Sequence, residues 1–389
     1  MSSVPRVALV HDWLTGMRGG EYVLEAMAEL FSRPTLFTLL YVRGAIEGPV
    51  AELNCTTSWL QHVPGAGRYY RHFLPLMPQM VSSFDVSGFD LVVSSSHCVA
   101  KGVRKAPEAV HVSYVHAPMR YMWERFDDYF GAGRARLGVR AAACAFRPYL
   151  QRWDRFVSSA DRVNVLVANS LFTADQIRRA YGREARIVHP FVDLSRFRRP
   201  RAPRSHYLMV GAFAPNKRVD LAVEAFTRLR LPLLIVGRGP DEARLRAMAG
   251  PTVTFLGPLS NRSIEELYAT SRAFVFPGVE DFGITPLEAM ASGLPVIAYA
   301  AGGALETVVD LESGLFFHQA TAQSLIAAVE RIESGSVVFD EKRVRIRANA
   351  FTKEQFQQGM LREIRGAWAA SGKSTSALEG ALSPAFRGS

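Results

Sequence analysis

Two carboxylates, Glu280 and Glu288, flank a turn that is predicted to begin a helix. Thr285 is a residue type that caps helices, Pro286 suits the first helical position, and Glu288 follows at the third. A helix starting at Pro286 would direct its free amides and positive end toward Gly283, where a ligand can approach the backbone. The pattern predicts a site for an anionic or polyol ligand. Two structural explanations stay open: Glu288 as a capping-box partner, and Glu280 as a solvated loop charge.

Two cations form a second candidate feature. Lys217 and Arg218 follow a predicted buried strand, 206–211, and precede a predicted helix, 220–228. Cations at a strand-to-helix turn suit a diphosphate, although solvated surface side chains explain the pair equally well.

Three histidines, His11, His97 and His116, lie at or just after the ends of predicted strands, where open parallel sheets bind ligands. Gly19 and Gly20 separate the first strand from a helix, so the backbone there can admit a phosphate or an acceptor oxygen. The structural alternatives are a tight turn and packed or surface histidines.

These residues need parallel strands to position them, and strand-like runs alternate with helical periodicity along the whole chain. A further glycine turn, Gly302–Gly303, follows a buried run at 294–299 and suggests a nucleotide pocket at the carboxyl ends of parallel strands. The predicted fold class is α/β with two Rossmann-like domains. Predicted strands lie at 7–10, 36–41, 91–94, 110–116, 164–169, 206–211, 233–237, 253–257, 273–276 and 294–299.

The stretch 273–308 resembles the donor-site signature of the retaining GT-B glycosyltransferases of family GT4, glycosyl transferase group 1. The matching positions are Glu280, Asp281, Phe282, Gly283, Pro286, Glu288, Ala289, Ser292, Gly293, Pro295, Val296 and Gly303. The resemblance implies two Rossmann-like domains facing a central cleft. We expect an acceptor-binding domain at 1–197, a nucleotide-sugar-binding domain at 204–350 and a helix returning to the first domain at 351–371. The arginine- and proline-rich segment 196–203 is predicted to be the linker, and 372–389 a disordered tail.

The resemblance also implies roles for the cations and histidines. His116 lies in a segment, 114–123, similar to the family's catalytic-histidine segment, and would stabilise positive charge at the anomeric carbon. Lys217 would neutralise the donor diphosphate. The family's arginine five positions earlier is Ala212 here, so Arg218 is the expected substitute.

For the turn itself, the resemblance implies that Glu280 holds sugar hydroxyls and Glu288 the ribose hydroxyls. The other donor-binding positions expected from it are Gly19, Gly20, Phe282, Gly283, Ile284 and Thr285. The leaving phosphate would itself accept the acceptor's proton. No metal and no cofactor are expected.

Together the motifs are similar to a bacterial mannosyltransferase-like branch of the family that acts in polysaccharide or O-antigen assembly. The predicted function is retaining hexosyl transfer from a nucleotide sugar, with GDP-mannose as first donor and a UDP-hexose as second, to a glycan or polyprenyl-diphosphate-linked acceptor. The alternatives are a GT-B nucleotide-sugar epimerase and a sugar-nucleotide-binding protein without activity. A nucleic-acid partner suits the charge, but no nucleic-acid-binding motif is present.

The 389 residues carry a formal net charge of +10, which favours acidic partners. No run is long and apolar enough to span a membrane, and the N-terminus lacks signal-peptide features, so cytoplasmic residence is expected. The three cysteines suggest neither disulfides nor a zinc site. Two stretches rich in arginine and aromatic residues, 63–80 and 134–155, predict peripheral contact with an anionic inner membrane face. A buried helix with a solvated basic face is the alternative for the second stretch.

Overall fold

The structure, a computed structural model, describes residues 4–131, 135–202 and 205–388. Parts of the predicted segments lie outside these ranges: residues 1–3 and 132–133 of the first domain, Arg134 of the basic stretch, Pro203 of the linker, Arg204 at the predicted start of the second domain and Ser389 of the tail.

The chain forms two compact units. The first contains the chain up to His189 and again from Phe356 onward, and the second runs from Pro190 to Gln355. The unit limits therefore lie a few residues from the predicted boundaries at 197 and 351.

The first unit is built on a parallel sheet of seven strands in the order β3-β2-β1-β4-β5-β6-β7. The chain order reverses between β1 and β4, and such a switch point forms a crevice at the carboxyl ends of the strands. The elements are β1 (Val7–His11), α1 (Gly19–Ala28), β2 (Thr35–Thr38), β3 (Cys55–Thr57), α2 (Ala66–Tyr69), α3 (Met77–Ser82), β4 (Leu91–Ser96), β5 (Val110–Val115), α4 (Phe126–Phe130), α5 (Leu137–Val157), β6 (Val165–Ala168), α6 (Leu171–Tyr181) and β7 (Arg186–Ile187).

The second unit has a parallel sheet of six strands in the order β10-β9-β8-β11-β12-β13, with its switch point between β8 and β11. Its elements are β8 (Tyr207–Val210), α7 (Val219–Leu229), β9 (Leu233–Val236), α8 (Glu242–Met248), β10 (Val253–Gly257), α9 (Asn261–Thr270), β11 (Phe274–Phe276), α10 (Ile284–Ala291), β12 (Val296–Tyr299), α11 (Ala304–Thr307), β13 (Gly314–Phe317), α12 (Ala322–Glu333) and α13 (Glu341–Ala348). The chain ends with α14 (Lys353–Ala370) and α15 (Thr375–Ala381).

Local sequence explains the regular elements. The central strands β1, β4 and β5 are buried along their whole length, as expected for a parallel sheet covered on both faces. The Ser170 side chain caps α6 by accepting from the Thr173 amide at 2.9 Å, and Gly182, with φ of +68°, ends it. The predicted α/β class with two parallel sheets is confirmed.

The predicted linker differs from the structure. Leu194–Phe197 is a short 3₁₀ helix of the second unit, with the Phe197 side chain buried. Arg201 donates hydrogen bonds to the carbonyl oxygens of Tyr268 and Ser271. Arg196 in turn pairs with Glu265, so two arginines of the predicted linker are bound to groups of the second unit.

The predicted disordered tail is also wrong over its described part. Residues 375–381 form α15, whose Leu378 and neighbouring Leu382 are fully buried. The Ser383 amide donates to the Leu30 carbonyl at 2.8 Å, and Ser32 donates to the Ala381 carbonyl at 3.0 Å. Leu382 also forms an antiparallel bridge with Phe31, which follows α1 in the chain. None of the described helices combines the length and apolar character needed to cross a bilayer.

Candidate functional site

An ion pair lies at the switch point of the second unit. Lys217 follows β8 and Glu280 follows β11, and these strands are neighbours. The Lys217 ammonium contacts the Glu280 carboxylate, and both side chains are partly exposed, at 21% and 17%. The structure thus brings together two of the three residues predicted to be catalytic.

Glycine allows the two loops that carry this pair to touch. A Cβ on Gly278 would lie 2.3 Å from the Asn216 carbonyl oxygen and 2.6 Å from the Lys217 Cα. The Val279 amide donates to the same carbonyl at 3.0 Å. Any larger residue at Gly278 would therefore separate the loops and with them the charged pair.

A second glycine contact joins the turn after β12 to the loop after β11. A Cβ on Gly303 would lie 2.3 Å from the Phe282 Cα, and the Gly303 amide donates to the Glu280 carbonyl at 2.9 Å. The turn at Gly302–Gly303 therefore holds the Glu280 backbone in place, as the close contact and the hydrogen bond show.

Arg218 occupies a different environment from Lys217. It adopts a left-handed backbone conformation, with φ of +48°, immediately before α7. Its guanidinium pairs with Asp220, with Nε 3.2 Å from Oδ1. Its expected substitution for the family's arginine at the Ala212 position stays a prediction.

The helix after Glu280 begins earlier than predicted. Gly283 adopts φ of +90°, which allows the chain to turn directly into α10 at Ile284. Thr285 and Pro286 therefore lie inside the first turn, and Thr285 is not the N-cap. The capping-box explanation for Glu288 is wrong for the same reason.

Glu288 instead accepts a hydrogen bond from the phenol of Tyr268, at 3.0 Å, and lies 3.7 Å from the Arg196 guanidinium. Burial raises the pKa of Glu288 above its ordinary value, against the opposing effects of Arg196 and Tyr268. The sequence did not reveal these two partners, because Tyr268 lies on α9 and Arg196 in the supposed linker. No local pattern connects either of them with α10.

In the first unit, His116 lies just after β5. Its Nε2 is 2.8 Å from the Ser95 hydroxyl of the adjacent strand β4. Burial, together with the neighbouring His97 and His11, lowers the pKa of His116 well below its ordinary value, so its ring is neutral at physiological pH. A neutral ring can face an electron-poor carbon without charge repulsion.

Gly20, in the first turn of α1, faces the same place. A Cβ on Gly20 would lie 3.8 Å from the His11 Cε1 and 3.9 Å from the His116 Cε1 and Nε2. The His97 ring centre lies 6.0 Å from that of His11 and 6.3 Å from that of His116. The three histidines singled out in the sequence thus form one cluster with Gly20.

Asp12 holds the loop that carries His97. Its buried carboxylate accepts hydrogen bonds from four consecutive amides, at distances from 2.6 to 2.9 Å, those of His97, Cys98, Val99 and Ala100. Burial alone would raise the pKa of Asp12, but His97, His11 and these amides hold it below its ordinary value. Asp12 is therefore a fixed anion that positions backbone.

A fully buried ion pair supports the same loop. The Lys101 ammonium lies 2.7 Å from the Asp154 carboxylate of α5 and donates to the Cys98 carbonyl at 3.0 Å. Asp154 also accepts from the Trp123 indole at 2.8 Å and the Tyr181 phenol at 2.9 Å. Sequence reasoning missed this network, since only the fold brings α5 to the loop after β4.

The two stretches predicted to contact a membrane differ. Within 63–80, Tyr70 and Met77 belong to the hydrophobic core, whereas Tyr69 is exposed. Two arginines of α5 bind other parts of the first unit: Arg147 donates to the Met122 carbonyl and Arg155 to the Ala180 carbonyl. The apolar side chains of α5 that remain exposed are Leu137, Val139, Phe146, Tyr149 and Phe156.

Known proteins share both the second unit and the overall fold. Residues 195–353 match the family described as "Glycosyl transferases group 1". A GDP-mannose-dependent alpha-mannosyltransferase of Mycolicibacterium smegmatis is 42% identical over 107 residues, which are 27% of this chain and 28% of that protein. A D-inositol 3-phosphate glycosyltransferase of Actinosynnema mirum is 35% identical over 197 residues, 42% of this chain and 46% of that protein. The chain thus spans less than half the length of either relative.

Among solved structures, sucrose-phosphate synthase from Thermosynechococcus elongatus has a TM-score of 0.70 and 19% identity, over 94% of this chain and 100% of that chain. This likeness shows the fold, and the predicted GT-B architecture is confirmed. The family match spans nearly the whole second unit, so residues 195–353 are similar to the group 1 glycosyltransferases.

Proposed function

We propose that this protein transfers a hexosyl residue, mannose from GDP-mannose in the first instance, to a hydroxyl of a glycan or polyprenyl-diphosphate-linked acceptor, with retention at the anomeric carbon. The observation that carries the proposal is the contact between Lys217 and Glu280 at the switch point of a unit that matches a glycosyltransferase family. An ammonium beside a carboxylate suits a donor with an anionic diphosphate and a hydroxyl-bearing sugar.

In this proposal the second unit binds the donor. The Lys217 ammonium neutralises the diphosphate, and the amides of Gly283, Ile284 and Thr285 at the start of α10 add positive potential. Glu280 accepts hydrogen bonds from sugar hydroxyls. Because Glu280 is already paired with Lys217, a bound donor would insert its polar groups between two charges that are in place before binding.

Glu288 would bind the ribose hydroxyls. Its carboxylate is oriented by the Tyr268 phenol, so the hydrogen-bond acceptor is fixed before the nucleotide arrives. The reaction breaks the bond between the anomeric carbon and the phosphate oxygen and forms one to the acceptor oxygen. The acceptor's proton passes to the leaving phosphate oxygen.

The first unit would contribute His116 and the glycine turn. The neutral ring of His116 stabilises positive charge at the anomeric carbon, and Gly19 and Gly20 admit a substrate oxygen close to the free amides of α1. The proposed reaction uses these groups and Lys217 for charge stabilisation and therefore needs no metal ion.

GDP-mannose is the first donor because the mycolicibacterial relative is named for it. The relative named for D-inositol 3-phosphate makes a phosphorylated polyol the second kind of acceptor to examine. Both relatives match only part of this chain, so the donor and the acceptor need separate experiments.

The test measures thermal unfolding of the protein with each of four nucleotide sugars: GDP-mannose, GDP-glucose, UDP-glucose and UDP-galactose. We expect GDP-mannose to raise the midpoint of thermal unfolding most, because a ligand that binds only the folded state stabilises it by mass action. Transfer is then measured as GDP release with mannosides and D-inositol 3-phosphate as acceptors, and epimer formation is checked with donor alone. Failure of every nucleotide sugar to shift the midpoint would overturn the proposal.

We also propose that α5 contacts an anionic membrane surface. Its exposed apolar side chains lie beside Arg136 and Arg152, which are exposed as well. Vesicles with 30% phosphatidylglycerol should co-sediment the protein at low salt, and replacing Phe146, Tyr149 and Phe156 by serine should abolish this. Val338→Ser, at an even more exposed apolar position of the second unit, is the control. Equal sedimentation of both variants would contradict the proposal.

A further inference from the structure

His11 is a buried polar side chain without a hydrogen-bond partner. It ends β1 with 1% of its surface exposed, and neither ring nitrogen is bonded to any group in the described part of the chain. A buried polar group without a partner destabilises the fold, so folding alone gives no reason for an imidazole here.

The ring faces the space shared with Gly20 and His116. The atom nearest to a Cβ on Gly20, at 3.8 Å, is the His11 Cε1, which lies between the two ring nitrogens. The same point is 3.9 Å from the His116 ring. A small group bound beside Gly20 would therefore contact both histidines.

The space is polar, and the Asp12 carboxylate is close enough to interact electrostatically with both His11 and His97. That carboxylate already accepts from four backbone amides and lies 3.1 Å from the His97 Nδ1, and the His116 Nε2 is bonded to Ser95. A neutral imidazole offers one donor and one acceptor, as a hydroxyl does. The surroundings thus match an alcohol better than a phosphate or a cation.

We propose that His11 binds the reacting hydroxyl of the acceptor, with one ring N–H donating a hydrogen bond to the hydroxyl oxygen, so that the hydroxyl proton stays directed at the leaving phosphate. The inference rests on the proposed function, because it uses the placement of His116 at the anomeric carbon. His11 holds the acceptor oxygen next to that carbon while the proton still passes to the leaving phosphate. It is a substrate-binding residue for the acceptor and makes no contact with the nucleotide.

The first experiment compares His11→Phe with the wild type. Phenylalanine keeps the ring volume and removes only nitrogens that bond to nothing in the free protein, so the thermal midpoint should be unchanged or higher. With methyl α-D-mannoside as acceptor probe, transfer from GDP-mannose should fall at least tenfold. The Kd for GDP-mannose should stay within twofold. His62→Phe, the same change at an exposed position, should leave all three values unchanged.

The second experiment needs no turnover. In ¹⁵N spectra of the nine histidine rings, the signals absent from His11→Phe identify His11. They should move when methyl α-D-mannoside is added to GDP-saturated protein, and should not move with GDP alone. Unmoved signals, undiminished transfer or an equal loss of GDP-mannose binding would overturn the role of His11. Failure of the wild type to bind any nucleotide sugar would overturn the proposed function instead.

Discussion

Glu280 and Lys217 form an ion pair between two loops of the second unit. Their side chains keep only 17% and 21% of their surface exposed, so the desolvation of the two charges offsets much of their attraction. The loops beneath them, in contrast, are joined by close glycine contacts. The backbone contacts between the loops therefore fix the position of the pair.

Replacing Glu280 with Gln should therefore separate activity from stability. We expect transfer to fall by about 100-fold or more, which corresponds to losing about 2.7 kcal/mol of transition-state stabilisation. The thermal midpoint should change little. The measurements are initial rates and thermal unfolding of the same preparation.

Glu224→Gln is the matched control, because Glu224 forms an exposed ion pair with Arg228 on α7. It should leave both activity and midpoint as in the wild type. Wild-type turnover by Glu280→Gln would remove Glu280 from the site.

At the scale of elements, the positions of the site residues follow from strand ends. His11, Ser95 and His116 lie on or just after β1, β4 and β5, which are neighbours in the sheet. In the second unit, β8 and β11 place Lys217 and Glu280 in the same way. Both clusters thus occupy switch points, where chain connections leave a crevice open.

The C-terminal helix α15 is a structural element of the first unit, which a point substitution can test. Leu382 is fully buried beside the end of α1, so Leu382→Ala should lower the free energy of unfolding by about 2–5 kcal/mol. Leu305→Ala, at a position with 56% exposure, should change it by less than about 0.5 kcal/mol. Urea unfolding monitored by tryptophan fluorescence measures both. Equal stability of the two variants would support a disordered tail after all.

At the scale of the whole molecule, several histidines are held neutral by burial. Burial lowers the pKa of His111 to about 3, where its ring bonds to Ser94, and that of His97 to about 4. The pKa of His116 is lowered as well. In the unfolded chain these histidines have pKa values of about 6.5. Below that pH the unfolded chain therefore protonates them while the folded chain keeps them neutral.

Stability should consequently be full above pH 7 and fall as the pH drops below about 6.5, with each such histidine adding up to about 1.4 kcal/mol per pH unit. Thermal midpoints between pH 8 and 5 test this. Repeating the series in 0.5 M NaCl screens the general repulsion of a chain with net charge +10, but not the burial effect. A midpoint that stays constant from pH 7 to 5 would contradict the assignment.

The sequence by itself determined ten of the thirteen described strands, the two-domain α/β class and the glycine turns, and it missed the edge strands β3, β7 and β13. The correct predictions rest on the local signals that buried strands, caps and glycines leave. It also singled out Glu280, Lys217, Gly20 and His116, since each lies at a predicted strand end or turn.

Only the tertiary structure decided which residues meet. Helix α10 begins at Ile284 and not at the predicted Pro286, because Gly283 takes a positive φ. Glu288 contacts Tyr268 and Arg196, which lie in distant segments of the chain. The buried Lys101–Asp154 pair likewise depends on elements far apart in the chain, as does the burial of the His11 ring, which has no hydrogen-bond partner among the described residues. Local sequence patterns do not reveal such contacts, because the contacts depend on how each sheet packs with its helices.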